Sequence, residues 1–174
     1  MRRGTRPRAG ALGDHTTGTG TGRGRGNLAR RLGAPARLGP MRFEHPMPVR
    51  FADTDAQGHM YFANYLTFCD EALAAYMRHI GCPWQDLVEG GVDMFYRNAS
   101  CEFRGSATFE EVVQIETAIS RIGNSSVTSS YVMRNASGDV LAEAELTSVC
   151  IDVATRTPTR VPDRLRDAVR AQSA

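Results

Sequence analysis

Apolar and polar positions change period along this chain, and the changes mark its elements. Val49, Phe51 and Asp53 alternate with Arg50 and Ala52, the two-residue repeat of a short strand. Polar and glycine turn chemistry follows from Asp53 to Gly58. Then Phe62, Tyr65, Leu66, Cys69, Leu73, Tyr76, Met77 and Ile80 recur at threes and fours. That spacing predicts one apolar helix face about five turns long. Asn64, Thr67, Asp70, Glu71 and Arg78 take the opposite face. Gly81 closes the helix and Pro83 blocks its continuation. Residues 83–89 suit a short second helix.

Beyond Gly90-Gly91 the period returns to two. Strands are expected at about 92–104, 111–122, 126–134 and 140–151. Val113, Ile115, Thr117 and Ile119 share one face of the second, against Gln114, Glu116 and Ala118 on the other. Asn124-Ser125 and residues 135–139 carry hairpin-turn chemistry, so the sheet is expected to be an antiparallel meander. Residues 163–171 read as a closing amphipathic helix. The fold class is therefore α+β, with about five antiparallel strands packed on one long helix so that both apolar faces are buried.

Charge separates the chain into two parts. Residues 1–40 hold nine Arg and one acid, a net +8; residues 41–174 hold twelve Arg and eighteen acids, a net −6. The whole-chain value of +2 thus conceals an acidic domain, and the basic balance is no argument for nucleic acid as a partner. Rich in Gly, Arg and Thr, residues 1–40 bury too little to repay their ordering entropy and are expected to be disordered. Three readings of them stay open: a translated stretch upstream of a start at Met41, a plain tail, or a basic or targeting arm. The domain is expected at 41–174.

Chemistry is bounded by what is missing. The chain has no GxSxG elbow, no HExxH and no phosphate-cradling glycine loop. His15, His45, His59 and His79 are scattered, so neither metal nor cofactor is expected. Cys69, Cys82, Cys101 and Cys150 form no CxxC, no secretory leader is visible, and no apolar run is long enough to span a bilayer. A cytoplasmic protein with reduced thiols and no membrane partner is the expectation.

One polar patch remains, between the first strand and the helix: Asp53, Thr54, Asp55, Gln57, Gly58, His59 and Asn64. A helix N-terminus presents unpaired amides and a positive dipole end, which can hold a carbonyl oxygen as it gains charge. A nearby carboxylate can attack the carbonyl carbon or deprotonate a water. These parts suffice to hydrolyse an activated ester, and a thioester suits them because a thiolate leaves easily. The same residues also serve as ordinary turn and capping groups.

The string from Phe51 to Tyr65, FADTDAQGHMYFANY, resembles the signature of the 4-hydroxybenzoyl-CoA thioesterase family of hotdog proteins. Residues 121–127, 149–152 and 160–162 resemble its later strand turns and exit, so the resemblance covers about residues 46–166. It implies a hotdog fold, in which a curved sheet wraps one long central helix, and a homodimer or homotetramer with active sites at subunit boundaries. Asp55 then matches the catalytic carboxylate, as nucleophile or general base. The backbone N–H groups of Tyr61 and Phe62 would polarise the thioester carbonyl. Gly58 would allow close backbone approach, His59 would orient substrate or water, and Asn64 would hold the loop to the helix. Asp53 and Glu71 are rival carboxylates, expected in structural and solvated roles.

The implied substrate is an acyl-CoA. Arg104, Arg121 and Arg160, with Ser125 and Ser126, are candidates for its phosphates. Where some relatives carry a basic residue after Ile-Gly, this chain has Asn124-Ser125. A non-hydrolytic acyl-CoA-binding module and an acyl-carrier-protein thioesterase remain as alternatives.

Overall fold

The computed structural model describes residues 43–172. The three readings of residues 1–40 therefore lie outside the described residues. Strand β1 (Phe43–Pro48) leads through a 3-10 turn (Phe51–Asp53) to helix α1 (Asn64–His79) and helix α2 (Trp84–Glu89). Strands β2 (Val92–Phe103), β3 (Val112–Ile122), β4 (Ser126–Arg134) and β5 (Val140–Asp152) follow, then helix α3 (Asp163–Ala171). One sheet holds all five strands, every neighbouring pair antiparallel, in the order β1-β3-β4-β5-β2.

Two expectations are corrected. Residues 49–53 do not form the first strand, which lies earlier, at Phe43–Pro48. Phe51 is 78% exposed, its ring edge-on to Phe109, because the Asp53 side chain accepts the Arg50 N–H and curls the chain into the 3-10 turn. Nor is the sheet a simple meander. Strands β3, β4 and β5 follow one another by hairpins, but β2 pairs with β5 at the far edge. The connection 104–111 carries no hairpin turn. It crosses that end of the sheet to reach β3.

Helix α1 runs for sixteen residues, about 24 Å at 1.5 Å per residue. It buries Tyr65, Phe68, Cys69, Ala72, Leu73, Tyr76 and Met77 in one cluster with Val113, Ile115, Val127, Tyr131, Met133, Ala144 and Leu146 of the sheet. Each large side chain so buried contributes roughly 1.5–3 kcal/mol. The helix stops where Gly81 takes φ +70°, a left-handed conformation that glycine adopts without steric cost. No side chain caps its first turn. That leaves the amino end of α1 beside the connection 104–111, where the polar patch of the sequence falls.

Candidate active site

Residues 53–61 fold back on themselves like a small hairpin. Thr54 bridges Met60, the Asp55 N–H donates to the His59 carbonyl at 2.8 Å, and the Tyr61 N–H donates to the Asp53 carbonyl at 2.8 Å. Gly58 turns the tip with φ +80°, and its N–H donates to the Asp55 carbonyl at 3.0 Å. The crossing connection supports this loop from behind. His59 bridges Thr108, the Met60 N–H donates to the Ala107 carbonyl at 2.8 Å, and the buried Tyr65 hydroxyl accepts the Ala107 N–H at 3.2 Å. Burial raises the pKa of that Tyr65 phenol, so it stays neutral.

The two aspartates of the loop meet opposite surroundings. Asp53 is 4% exposed and clamped by Arg50: Oδ2 accepts the Arg50 N–H at 2.8 Å and Nε at 2.9 Å, and Oδ1 accepts Nη2 at 2.7 Å. The side-chain hydrogen bonds from Arg50 hold the Asp53 carboxyl below its ordinary pKa, against the opposing effect of burial. Its carbonyl also accepts Asn64 Nδ2 at 2.9 Å, so Asn64 fastens the loop to the first turn of α1. Asp55 is half-buried. One of its oxygens, Oδ1, accepts the Gln57 N–H at 2.8 Å, and among the described residues no group donates to Oδ2.

The Tyr61 N–H is taken by Asp53, while among the described residues no acceptor lies against the N–H of Phe62 or Ala63. The Phe62 ring is 61% exposed and packs edge-on to Tyr61, with centroids 4.7 Å apart. Phe103 stands beside Phe62 and Tyr65, at 6.5 and 5.2 Å between centroids. The site is thus a half-buried carboxylate with one oxygen uncommitted and an unpartnered amide beside it, next to an aromatic wall.

A family model described as the thioesterase-like superfamily matches residues 49–169, more than half of the chain and all of this loop. This chain belongs to the thioesterase-like superfamily. The superfamily match is carried further by individual relatives. The chain is 30% identical over 120 residues to the acyl-CoA thioester hydrolase YbgC of Escherichia coli, an alignment covering 69% of this chain and 90% of that protein. It is 28% identical over 127 residues to the 1,4-dihydroxy-2-naphthoyl-CoA hydrolase of Thermosynechococcus vestitus, covering 72% of this chain and 86% of that one. Among solved structures, a 1,4-dihydroxy-2-naphthoyl-CoA thioesterase from Synechocystis superposes with a TM-score of 0.69 at 25% identity, covering 74% and 95% of the two chains. These superfamily neighbours share the hotdog fold, and the five-stranded antiparallel sheet and helix described above are this chain's version of it.

The remaining residues singled out in this superfamily member divide between the two ends of the sheet. Arg104 lies at the loop's end, with Nη2 already 2.9 Å from Glu102 and 3.1 Å from Glu143. Arg121, Ser125 and Ser126 lie at the other end, the length of β3 away, roughly 30 Å of strand. There Arg121 Nη2 donates to Thr128 Oγ1 at 3.3 Å, and the Ser125 carbonyl accepts the Cys150 N–H at 2.8 Å. The Ser126 carbonyl accepts the Gly123 N–H at 2.8 Å. Arg160 pairs with Asp163. Ile122, Arg166, Val169 and Arg170 line a cleft of about 280 Å³ at this far end. Within the chain, Arg121, Ser125 and Ser126 therefore lie far from Asp55. Glu71 lies in the field of Arg50. The structure adds Arg50, which sequence reasoning passed over although its three-residue spacing to Asp53 is a capping interval. Among the described residues no three His, Cys, Asp or Glu side chains cluster as metal ligands would, and no helix is long and apolar enough to cross a membrane.

Proposed function

We propose that this protein is an acyl-CoA thioesterase, hydrolysing a thioester to a carboxylate and CoA, with Asp55 as the reacting carboxylate. One observation carries the reading. Asp55 keeps an oxygen uncommitted, in a loop whose closing bond uses the Tyr61 amide and leaves the next one, Phe62, open. The Phe62 N–H then donates to the thioester oxygen as it gains negative charge. As nucleophile, Asp55 attacks the carbonyl carbon and expels the thiolate, and water cleaves the resulting anhydride. As general base, it takes a proton from the water that attacks. Either way one thioester and one water yield one carboxylic acid and one thiol. His59, exposed beside the turn, orients water or substrate. The superfamily match and the names of the relatives support the reaction class, and the string 51–65 supports the finer placement in the 4-hydroxybenzoyl-CoA thioesterase family, with α1 as the central helix.

The working unit in this reading is a homodimer, alone or paired into a tetramer, formed at β2. That twelve-residue edge strand contains no proline and leaves Phe95, Tyr96 and Phe103 about half exposed, an edge open to another strand. Strand β1, the other edge, carries Pro46 and Pro48, which have no N–H to offer. Antiparallel pairing of two β2 strands about a two-fold axis sets the Val92 end of one copy beside the Phe103 end of the other. Arg121, Arg166, Ser125 and Ser126 of one copy thereby approach the loop of its partner, where they are suited to CoA phosphates. Arg104 serves from the same copy. The reading keeps the protein in the cytoplasm, confines the activity to residues 41–174 and assigns residues 1–40 no part in it.

The test is thiol release from a small panel of acyl-CoA thioesters. Turnover by the wild type, lost in Asp55→Asn, supports the assignment; binding without release favours an acyl-CoA-binding module instead. Release from acyl-carrier-protein thioesters but not from acyl-CoA favours the carrier-protein alternative.

A further inference from the structure

We infer that Asp53, held by Arg50, is a positioning residue that sets the gap between the Asp55 carboxylate and the Phe62 amide. The inference rests on the thioesterase reading above and goes beyond it by assigning a role to groups that never touch substrate.

Asp53 stands where two constraints meet. Its side chain governs the chain before it, through three bonds of 2.7–2.9 Å to the backbone and guanidinium of Arg50. Its carbonyl governs the chain after it, accepting the Tyr61 N–H and Asn64 Nδ2. Asp55 is two residues beyond Asp53, and Phe62 is one residue beyond Tyr61. Since successive Cα atoms lie about 3.8 Å apart, neither reacting group is more than about 8 Å along the chain from a bond that Asp53 makes. A rotation of the Asp53 peptide therefore displaces both groups. Reaction rates respond steeply to such displacements, since a shift of about 1 Å costs on the order of 100-fold.

The clamp also explains why Tyr61 and Phe62 differ. Asp53 consumes the first amide, and the second is left for a ligand. Arg50 does its part from the surface, with 71% of its side chain exposed. Its removal therefore leaves no cavity. That makes Arg50 the cleaner handle, because substitution loosens the Asp53 side chain without deleting core packing.

The experiment measures thiol release for wild type, Arg50→Ala, Arg50→Lys, Asp53→Asn and Asp55→Asn, with the folded fraction of each taken from its thermal unfolding curve. The expected result is a roughly tenfold fall in kcat per folded molecule for Arg50→Ala and Asp53→Asn, with KM changed less than threefold. Arg50→Lys should recover part of the loss, because an ammonium reaches one carboxylate oxygen but not the fork. A merely structural clamp lowers the melting temperature and leaves kcat per folded molecule alone; that outcome, with Asp55→Asn inactive, overturns the positioning role and spares the thioesterase reading. Should Asp53→Asn fail to fold, the Arg50 pair decides the question. A wild type that releases no thiol, or an Asp55→Asn that matches it, overturns both.

Discussion

The site loop has a clamped half and an open half, and the same residue type sits in each. Residues 50–53 are knotted by the Arg50–Asp53 pair, with Asp53 4% exposed and both carboxylate oxygens occupied. Residues 55–59 form an exposed turn in which Asp55 holds a single N–H on one oxygen. A carboxylate with both oxygens engaged is a girder, since taking a proton or attacking carbon would break its bonds. One with an uncommitted oxygen is chemically available. The comparison teaches that reactivity here follows from partners rather than from residue identity.

The comparison breaks most decisively at Asp55. Asp55→Asn should lower kcat by at least about 100-fold, as expected for loss of a general base or nucleophile. Its melting temperature should stay within a degree or two of wild type, because the Asp55 side chain holds only the neighbouring Gln57 N–H. A large loss of stability would move Asp55 into the clamped class. At the edge of the sheet, Ala99→Arg in the exposed middle of β2 should split the proposed dimer, as read by light scattering, and lower kcat/KM about tenfold or more. Full activity in a monomeric variant would detach the site from the edge.

On the clamped side, Asp53→Ala should destabilise by about 1–2 kcal/mol, the usual range for a lost cap with its hydrogen bonds, visible in chemical denaturation. The same clamp makes a pH prediction. Asp53 has its pKa lowered in the fold, chiefly by the hydrogen bonds from Arg50, so the stability it supplies is present in full above the unfolded-state value of about 3.9. That stability fades as pH falls through the lower folded value. Melting temperatures taken from about pH 6 down to pH 2 should show this acid loss in wild type, and a smaller one in Asp53→Asn. The smallest effect belongs to the turn. His59→Gln should change kcat by less than about fivefold, since its imidazole is exposed and no hydrogen bond holds it among the described residues. A larger fall would make its orienting of water or substrate a principal contribution to the rate.

Much of the fold was legible because its elements have clean periods. Helix α1 and strands β2 to β5 fall within two residues of where the threes-and-fours and the alternation put them. Gly81, Asn124-Ser125 and residues 135–139 end elements as their turn chemistry dictates. The first strand was missed because Pro46 and Pro48 argue against a strand, while the alternation at 49–53 mimics one. Local pattern cannot tell that Phe51 points to solvent. The place of β2 was missed for a related reason: its residues pair with β5 residues roughly forty to sixty positions on, and no local signal marks the crossing at 104–111. Of the site, the loop and its carboxylates were legible, and the use of each amide was not.

The sequence by itself determined the long helix, strands β2 to β5, and a short polar stretch holding two aspartates before that helix. Only the tertiary structure decided which aspartate is bound and which amide is spoken for. Those choices depend on where Asn64, Arg50 and the crossing segment arrive in space, and hydrogen bonds are assigned by proximity in three dimensions, which period and composition do not encode.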